Sequence, residues 1–281
     1  MWEYEALFQN QVTGPQDQVS WFEVATSMSV GRMAYLTKTI KSGPMLELQI
    51  YPVFGIADRT RLRAAKRALT RENQQRANDE RAKRRFVRLA NCNFGRGDLF
   101  VTLTYEHAPS YERAQKDMRN FLERVKRLRN RRGLEELRYL YVIEDMEDGV
   151  EKRIHIHLMT NGGLTAEELE RCWQKGRTNV AAISPDKMGL EGLARYFVKS
   201  NKNRRKWAGS HNLRKPKESI SRHKLSNRKV RELAMGAEVA AKEALERCWP
   251  GYSYADCNVY YSDTTDGVYI YAKMRKEEEG P

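Results

Sequence analysis

The stretch Arg153-Ile154-His155-Ile156-His157-Leu158-Met159 alternates between apolar and polar side chains. A period of two residues is typical of a β-strand with one buried face. His155 and His157 therefore lie side by side on one face of the predicted strand. Neutral imidazole is the commonest metal-binding side chain, so two on one face supply half of a metal site. From the spacing alone, two polar positions on a solvated strand face are an equally good interpretation.

A carboxylate on the preceding strand favours the metal site. Residues 139–144 are rich in β-branched and aromatic side chains, which predicts a strand, and Asp148-Gly149 predicts a turn. A turn centred between Gly149 and Val150 pairs Glu144 with His155, and directly opposed residues share a face. Two histidines and a carboxylate suit a divalent ion such as Mn²⁺ or Mg²⁺. A register shift of one residue would turn Glu144 away, and Asp145 is then the alternative ligand.

Composition indicates a soluble globular protein with a polyanionic partner. The 281 residues include 51 Lys and Arg against 37 Asp and Glu, which gives a net charge of +14. Such an excess favours nucleic acid, with an anionic membrane surface second. No apolar run is long enough to span a bilayer, the N-terminus does not resemble a signal peptide, and the four cysteines form no CxxC pair. We therefore expect a cytoplasmic protein with free thiols and no membrane segment.

Two segments carry most of the positive charge. Residues 58–89 have helical composition, with twelve Lys and Arg against four Asp and Glu. Residues 199–231 hold thirteen Lys and Arg against one Glu. Basic side chains around an aromatic ring are typical of single-stranded nucleic-acid binding, although a disordered basic linker is the alternative. The candidate DNA-binding residues are Lys202, Arg204, Arg205, Lys206, Trp207, Arg214 and Lys215.

The remaining patterns predict an α+β fold. Between residues 99 and 199 the predicted order is β-α-β-β-α-β-α, and the first helix, residues 110–131, has an apolar stripe and a basic face that includes Arg127, Arg129 and Arg131. Thr165 and Glu168 form the capping-box pattern at the start of the second helix. Outside this region we predict a strand at 44–54, one helix at 226–249 and a hairpin formed by 252–261 and 267–274. Residues 1–43 are weakly patterned.

Three motifs in order resemble those of HUH-type rolling-circle replication initiators. They are a Phe-Val-Thr-Leu-Thr-Tyr strand at 100–105, the His-Ile-His strand at 155–157, and Tyr-Phe-Val-Lys at 196–199 on a predicted helix. The resemblance covers about residues 84–216 and is greatest to the single-tyrosine initiators of plasmids, integrative elements and filamentous-type phages. It implies a central antiparallel sheet with helices on one face and the metal site on the other.

The resemblance also implies a chemistry. Tyr196 would attack a phosphodiester of single-stranded or hairpin origin DNA and remain joined to the 5′-phosphate. Lys199, three residues later on the same helix, would stabilise phosphate or phenolate charge. No G-x-x-x-x-G-K-[ST] loop is present, so a helicase would be supplied in trans. A transposase with the same chemistry and a non-catalytic nucleic-acid-binding protein are the alternatives.

We expect four parts along the chain. An N-terminal segment of unassigned role covers residues 1–57, and a basic helix covers 58–90. The endonuclease core covers 91–216, and a C-terminal helix and hairpin cover 217–281.

Overall fold

A computed structural model describes residues 34–53, 71–147, 150–197, 207–236, 238–262 and 267–277 of the chain. The chain divides into two units, one made of residues 1–81 and 217–281, and one of residues 82–216. Both units are built on antiparallel sheets, which agrees with the predicted α+β class. None of the helices in these described ranges is long and apolar enough to cross a membrane.

The described elements alternate along the chain, and we number them in chain order. The strands are β1 (Tyr35–Ser42), β2 (Met45–Pro52), β3 (Leu99–Thr104), β4 (Tyr139–Glu147), β5 (Val150–Thr160), β6 (Thr178–Ala182), β7 (Ala208–Gly209), β8 (Lys217–Ser221), β9 (Tyr252–Ser262) and β10 (Gly267–Lys276). The helices are α1 (Arg71–Asn93), α2 (Tyr111–Arg131), α3 (Ala166–Trp173), α4 (Glu191–Phe197), α5 (Asn227–Met235) and α6 (Glu238–Cys248).

The first unit contains a five-stranded sheet in the order β8-β1-β2-β10-β9. One face of this sheet packs against α5 and α6, where Leu46, Leu48, Val230, Leu245 and Ile270 are fully or almost fully buried. The predicted C-terminal hairpin is confirmed as β9 and β10, and the strand predicted at 44–54 is confirmed as β2. Strand β1 lies in the stretch whose pattern gave no assignment.

The predicted helix at 226–249 is wrong as a single element. It is divided into α5 and α6. Helix α5 ends at Met235, and the next residue, Gly236, has a φ of −76° and a ψ of 147°, which are extended rather than helical. An added Cβ at Gly236 would lie 2.7 Å from the carbonyl oxygen of Glu232, so the close approach requires glycine. The alanine-rich sequence favours helix throughout, but this local geometry overrides its propensity.

The second unit contains the sheet β6-β3-β5-β4-β7, with α2 and α3 on one face. The order of elements from β3 to α4 is the predicted β-α-β-β-α-β-α. Ser110 caps α2 by accepting a hydrogen bond from the backbone N–H of Arg113, and Thr165 and Glu168 form the predicted capping box of α3. Met118, Phe121 and Trp173 fill the core between these helices and the sheet.

The opposite face of this sheet carries a second apolar layer. The C-terminal part of α1 packs there through Phe86 and Ala90. It meets Leu190, which directly precedes α4, and Ala194 within α4. The sheet residues of this layer are Phe100, Leu140, Val142 and Met159. Because alternate residues of a strand point to opposite faces, His155 and His157 share this face with Met159.

Arg129 does not belong to the exposed basic face of α2 as the sequence predicted. Its side chain is 2 % exposed and donates hydrogen bonds to the carbonyl oxygens of Glu135, Asn161 and Gly162. Burial of a guanidinium is costly unless its N–H groups are hydrogen-bonded, and these three carbonyls accept hydrogen bonds from Nε and Nη1. Arg129 therefore fixes the two loops that follow α2 and β5.

Candidate metal centre and nucleic-acid face

The β4–β5 hairpin places Glu144 directly opposite His155, as predicted. The position of the turn differs from the prediction, because the strand ends pair Glu147 with Val150. Between these two pairs the register shifts, so that Lys152, Arg153 and Ile154 of β5 lie opposite the single residue Asp145 of β4. Without this β-bulge, the pairing at the strand ends would place Glu144 opposite Arg153.

The three predicted ligands converge on one point. Oε2 of Glu144 lies 3.0 Å from Nε2 of His155 and 3.1 Å from Nε2 of His157. The potential ligand atoms of the three residues all lie within 4.8 Å of one another. Among the residues that the structure describes, this is the group of His, Cys, Asp and Glu side chains with the geometry to hold a metal ion.

The outer nitrogen of each imidazole has its own partner. Nδ1 of His155 lies 3.1 Å from the carbonyl oxygen of Arg153, and Nδ1 of His157 lies 3.3 Å from the hydroxyl oxygen of Thr102. A carbonyl only accepts hydrogen bonds, so Nδ1 of His155 carries the proton that it donates. The Nε2 atom of His155 therefore donates to Glu144 when the ring is protonated, and in the neutral ring it offers a lone pair to a cation.

The neighbouring strand β3 supports His157 from its other side. Thr102 is the direct β-pairing partner of His157, and the ring of Phe100 stacks on the imidazole with a centroid distance of 5.9 Å. The side chain of His157 is only 4 % exposed, whereas that of His155 is 23 % exposed. Solvent and ligands therefore reach the triad from the side of His155.

The electrostatic balance keeps the Glu144 carboxylate ionised. Burial alone would raise its pKa, but the hydrogen bonds and positive charge of His155 and His157 outweigh burial and hold the pKa at about 2. An ionised carboxylate and two imidazole nitrogens are a donor set for a hard or borderline divalent cation. The residues present thus fit the divalent metal that the sequence predicted.

The residues expected to act on DNA are only partly described. Tyr196 lies in the last turn of α4, a helix that ends at Phe197, and its side chain is outside the described part of the chain. Lys199, Lys202, Arg204, Arg205 and Lys206 also lie outside the described residues. The roles assigned to these six residues stay predictions.

Three candidate DNA-binding residues are described. The indole N–H of Trp207 donates to the carbonyl oxygen of Ala82, and its ring packs edge-on against Phe86 with a centroid distance of 5.8 Å. Trp207 thus joins the apolar layer that contains α1. Arg214 and Lys215 are exposed, and the backbone of Arg214 is held on both sides by the amide of Asn93.

Thr102 and Phe100 are site residues to which the sequence analysis gave no role. Their strand was identified, but the contact with His157 depends on β3 pairing with β5 across more than fifty residues of chain. Alternation along β3 does put Phe100, Thr102 and Thr104 on one face, which was an available signal. The pattern within β3 does not show which strand pairs with it, so the contact with His157 could not be predicted from the sequence.

The central part of the chain is similar to a known protein family. Residues 98–201 match the model of a family described as replication-associated proteins of the ORF2 type. The match spans β3 to the residues after α4, and so includes the triad and Tyr196. This region is therefore similar to that family of replication-associated proteins, in agreement with the resemblance of its motifs. No curated protein and no solved structure gives a significant match to the chain.

Proposed function

We propose that this protein is a metal-dependent nickase and strand transferase that initiates rolling-circle replication on single-stranded or hairpin origin DNA. The observation that carries the proposal is the convergence of Glu144, His155 and His157 within a region that matches a replication-associated family. Tyr196 is the proposed nucleophile, because it lies on the helix that follows the triad in the family's motif order.

Oε2 of Glu144 and the two Nε2 atoms are the groups that would hold a divalent cation. The chemistry that such a cation supplies is polarisation of the scissile phosphodiester and neutralisation of charge on its non-bridging oxygens. The chain's own contribution is to orient these ligands. The carbonyl of Arg153 and the hydroxyl of Thr102 fix the imidazole rings, and burial of His157 under Phe100 limits their rotation.

The phenol of Tyr196 gives its proton to solvent, and its oxygen attacks the phosphorus. A phosphorus–oxygen bond to the tyrosine forms as the bond to the 3′-oxygen breaks, and the 3′-oxygen leaves as a hydroxyl after taking up a proton from solvent. The free energy of the cleaved bond is retained in the phosphotyrosine, so a 3′-hydroxyl can later reverse the step and rejoin the strand. Lys199 supplies positive charge near the phosphate.

The test is trapping of the covalent adduct. The full-length chain is incubated with labelled single-stranded origin candidates and Mn²⁺, and the products are separated on a denaturing gel. We expect a labelled protein band that disappears with a chelator and with Tyr196→Phe, and a peptide map that places the nucleotide on Tyr196. Adduct formation on Tyr105 or Tyr111 instead would contradict the assignment of the nucleophile.

The same experiment separates the two alternatives. A non-catalytic DNA-binding protein would retain the DNA without forming an adduct in any metal. A transposase of the same chemistry would form the adduct on transposon-end hairpins and not on origin sequences. The initiator proposal expects origin DNA to be cleaved and rejoined, with a helicase acting in trans.

A further inference from the structure

The helical face of the second unit carries a basic groove, on the side of the sheet opposite the metal triad. It lies between α2 and α3 and has a volume of about 700 Å³. Its lining consists of Arg124, Arg127, Leu128, Asn130, Arg131, Glu168, Arg171 and Cys172. Four arginines thus converge on one groove from two helices that are distant in sequence.

None of the four arginines forms an ion pair with a carboxylate in the described part of the chain. Arg124 donates to the carbonyl of Asn120 and the side chain of Gln174, and Arg171 donates to the carbonyl of Glu167. The one acid of the lining, Glu168, forms its ion pair with Arg132 at 3.1 Å and also closes the capping box of α3. The positive charge of the groove is therefore not neutralised by its own lining.

The potential of these side chains reaches the floor of the groove. Burial raises the pKa of the Cys172 thiol, whereas the positive charges of Arg124, Arg131 and Arg171 act to lower it. Three guanidinium groups from the two helices therefore act on the same buried atom. Guanidinium groups bind phosphate oxygens in a planar, bidentate geometry, and a cluster of them is a typical phosphate-binding surface.

The composition of the lining favours duplex over single-stranded DNA as the ligand. Sites for single strands combine positive charge with aromatic rings on which exposed bases stack. None of the eight lining residues is aromatic, so the groove offers guanidinium groups to phosphates and no aromatic ring on which an unpaired base would stack. In a duplex the bases face inward and the phosphates face outward, which matches such a lining.

We propose that the α2–α3 groove, through Arg124, Arg127, Arg131 and Arg171, binds the phosphate backbone of duplex DNA. The inference shares DNA as ligand with the proposed function but does not depend on nicking. A strand on the triad face cannot present the same nucleotides to the opposite face of the sheet. The groove therefore binds a double-stranded segment at a distance from the cleaved strand.

The test measures binding of a labelled duplex by fluorescence anisotropy over a series of salt concentrations, in a chelator and with the full-length chain. The variant is Arg127→Gln with Arg131→Gln, because neither side chain has a structural hydrogen bond in the described residues. We expect the slope of log affinity against log salt to become less steep by about 0.9 for each phosphate interaction that the variant removes, or about 1.8 for both. Binding of a single strand of equal length should be unchanged.

The matched control is Lys116→Gln with Lys126→Gln, two exposed cations of α2 that do not line the groove. It removes the same charge from the same helix and should leave the duplex slope nearly unchanged. An unchanged slope in the arginine variant, or an equal change in the lysine variant, would overturn the groove assignment. An equal weakening of single-strand and duplex binding would overturn the choice of duplex. Duplex binding is measured in a chelator, where no adduct forms. A failure to form the adduct would therefore contradict the proposed function and leave the groove assignment unaffected.

Discussion

Oε2 of Glu144 lies 3.0 Å from Nε2 of His155, its direct partner on the neighbouring strand. The same oxygen lies 3.1 Å from Nε2 of His157, so one carboxylate oxygen is shared by both imidazoles. Asp145 lies next to Glu144 at the β-bulge and is not part of this group. The two adjacent carboxylates thus have different positions relative to the candidate metal.

Glu144→Ala should raise the Mn²⁺ concentration for half-maximal adduct formation far more than Asp145→Ala does. Loss of one of three protein ligands weakens a metal site strongly, whereas a neighbouring carboxylate outside the ligand set has a small effect. Circular dichroism checks that both variants remain folded. The reverse ranking would make Asp145 the ligand, and equal small effects would mean that the carboxylate comes from elsewhere.

Thr102→Val should weaken Mn²⁺ binding by about 10- to 100-fold, because the hydroxyl that holds Nδ1 of His157 is removed while the side-chain volume is kept. Isothermal titration calorimetry gives the affinity directly. Thr104→Val is the matched control, since Thr104 lies on the same face of β3 but donates its hydroxyl to the carbonyl of Arg177. A similar weakening in both variants would indicate a general disturbance of β3.

Replacement of Arg204, Arg205 and Lys206 by Gln should make single-stranded DNA binding less dependent on salt. Each phosphate bound on a single strand contributes about 0.7 to the slope of log affinity against log salt, so the removal of three such interactions reduces it by about 2. The control replaces Lys242, Arg247 and Lys276, which are exposed cations of the first unit. If the slope stays the same in the first variant, residues 199–206 serve as a linker.

Cys257 should react slowly with iodoacetamide until the pH is strongly alkaline. Burial first, and then the negative charges of Asp256 and Glu238, raise its pKa from 9.0 to about 11. A shift of two pKa units leaves about 100-fold less thiolate at pH 8 than in an ordinary thiol, and only the thiolate reacts. The rate measured by mass spectrometry should rise about tenfold per pH unit up to pH ~11. A plateau near pH 9 would contradict this environment.

The raised pKa of Cys257 also makes the stability of the fold depend on pH. The unfolded chain loses the Cys257 proton at lower pH than the folded chain, so the folded state binds more protons between about pH 9 and 11. The contribution of this thiol to stability is therefore complete below pH 9 and decreases as the pH rises to 11.

The sequence by itself determined which residues share the metal face. Alternation along β5 puts His155 and His157 on one side, and any register that differs by an even number of residues keeps Glu144 on that side. This explains why Glu144 lies opposite His155 as predicted, although the hairpin closes at Glu147 and Val150 rather than one residue later. The capping box of Thr165 and Glu168 was also predicted from the sequence, because it depends on residues only three positions apart.

Only the tertiary structure decided which distant side chains meet. The contact of Thr102 with His157 needs β3 to pair with β5, and the basic groove needs α3 to pack beside α2. The burial of Arg129 was also decided by the tertiary structure, because the loop carbonyls that accept its hydrogen bonds lie near it only in the folded chain. Local periodicity fixes the face on which a side chain lies, whereas its neighbours are fixed by long-range packing, which no pattern within one element records.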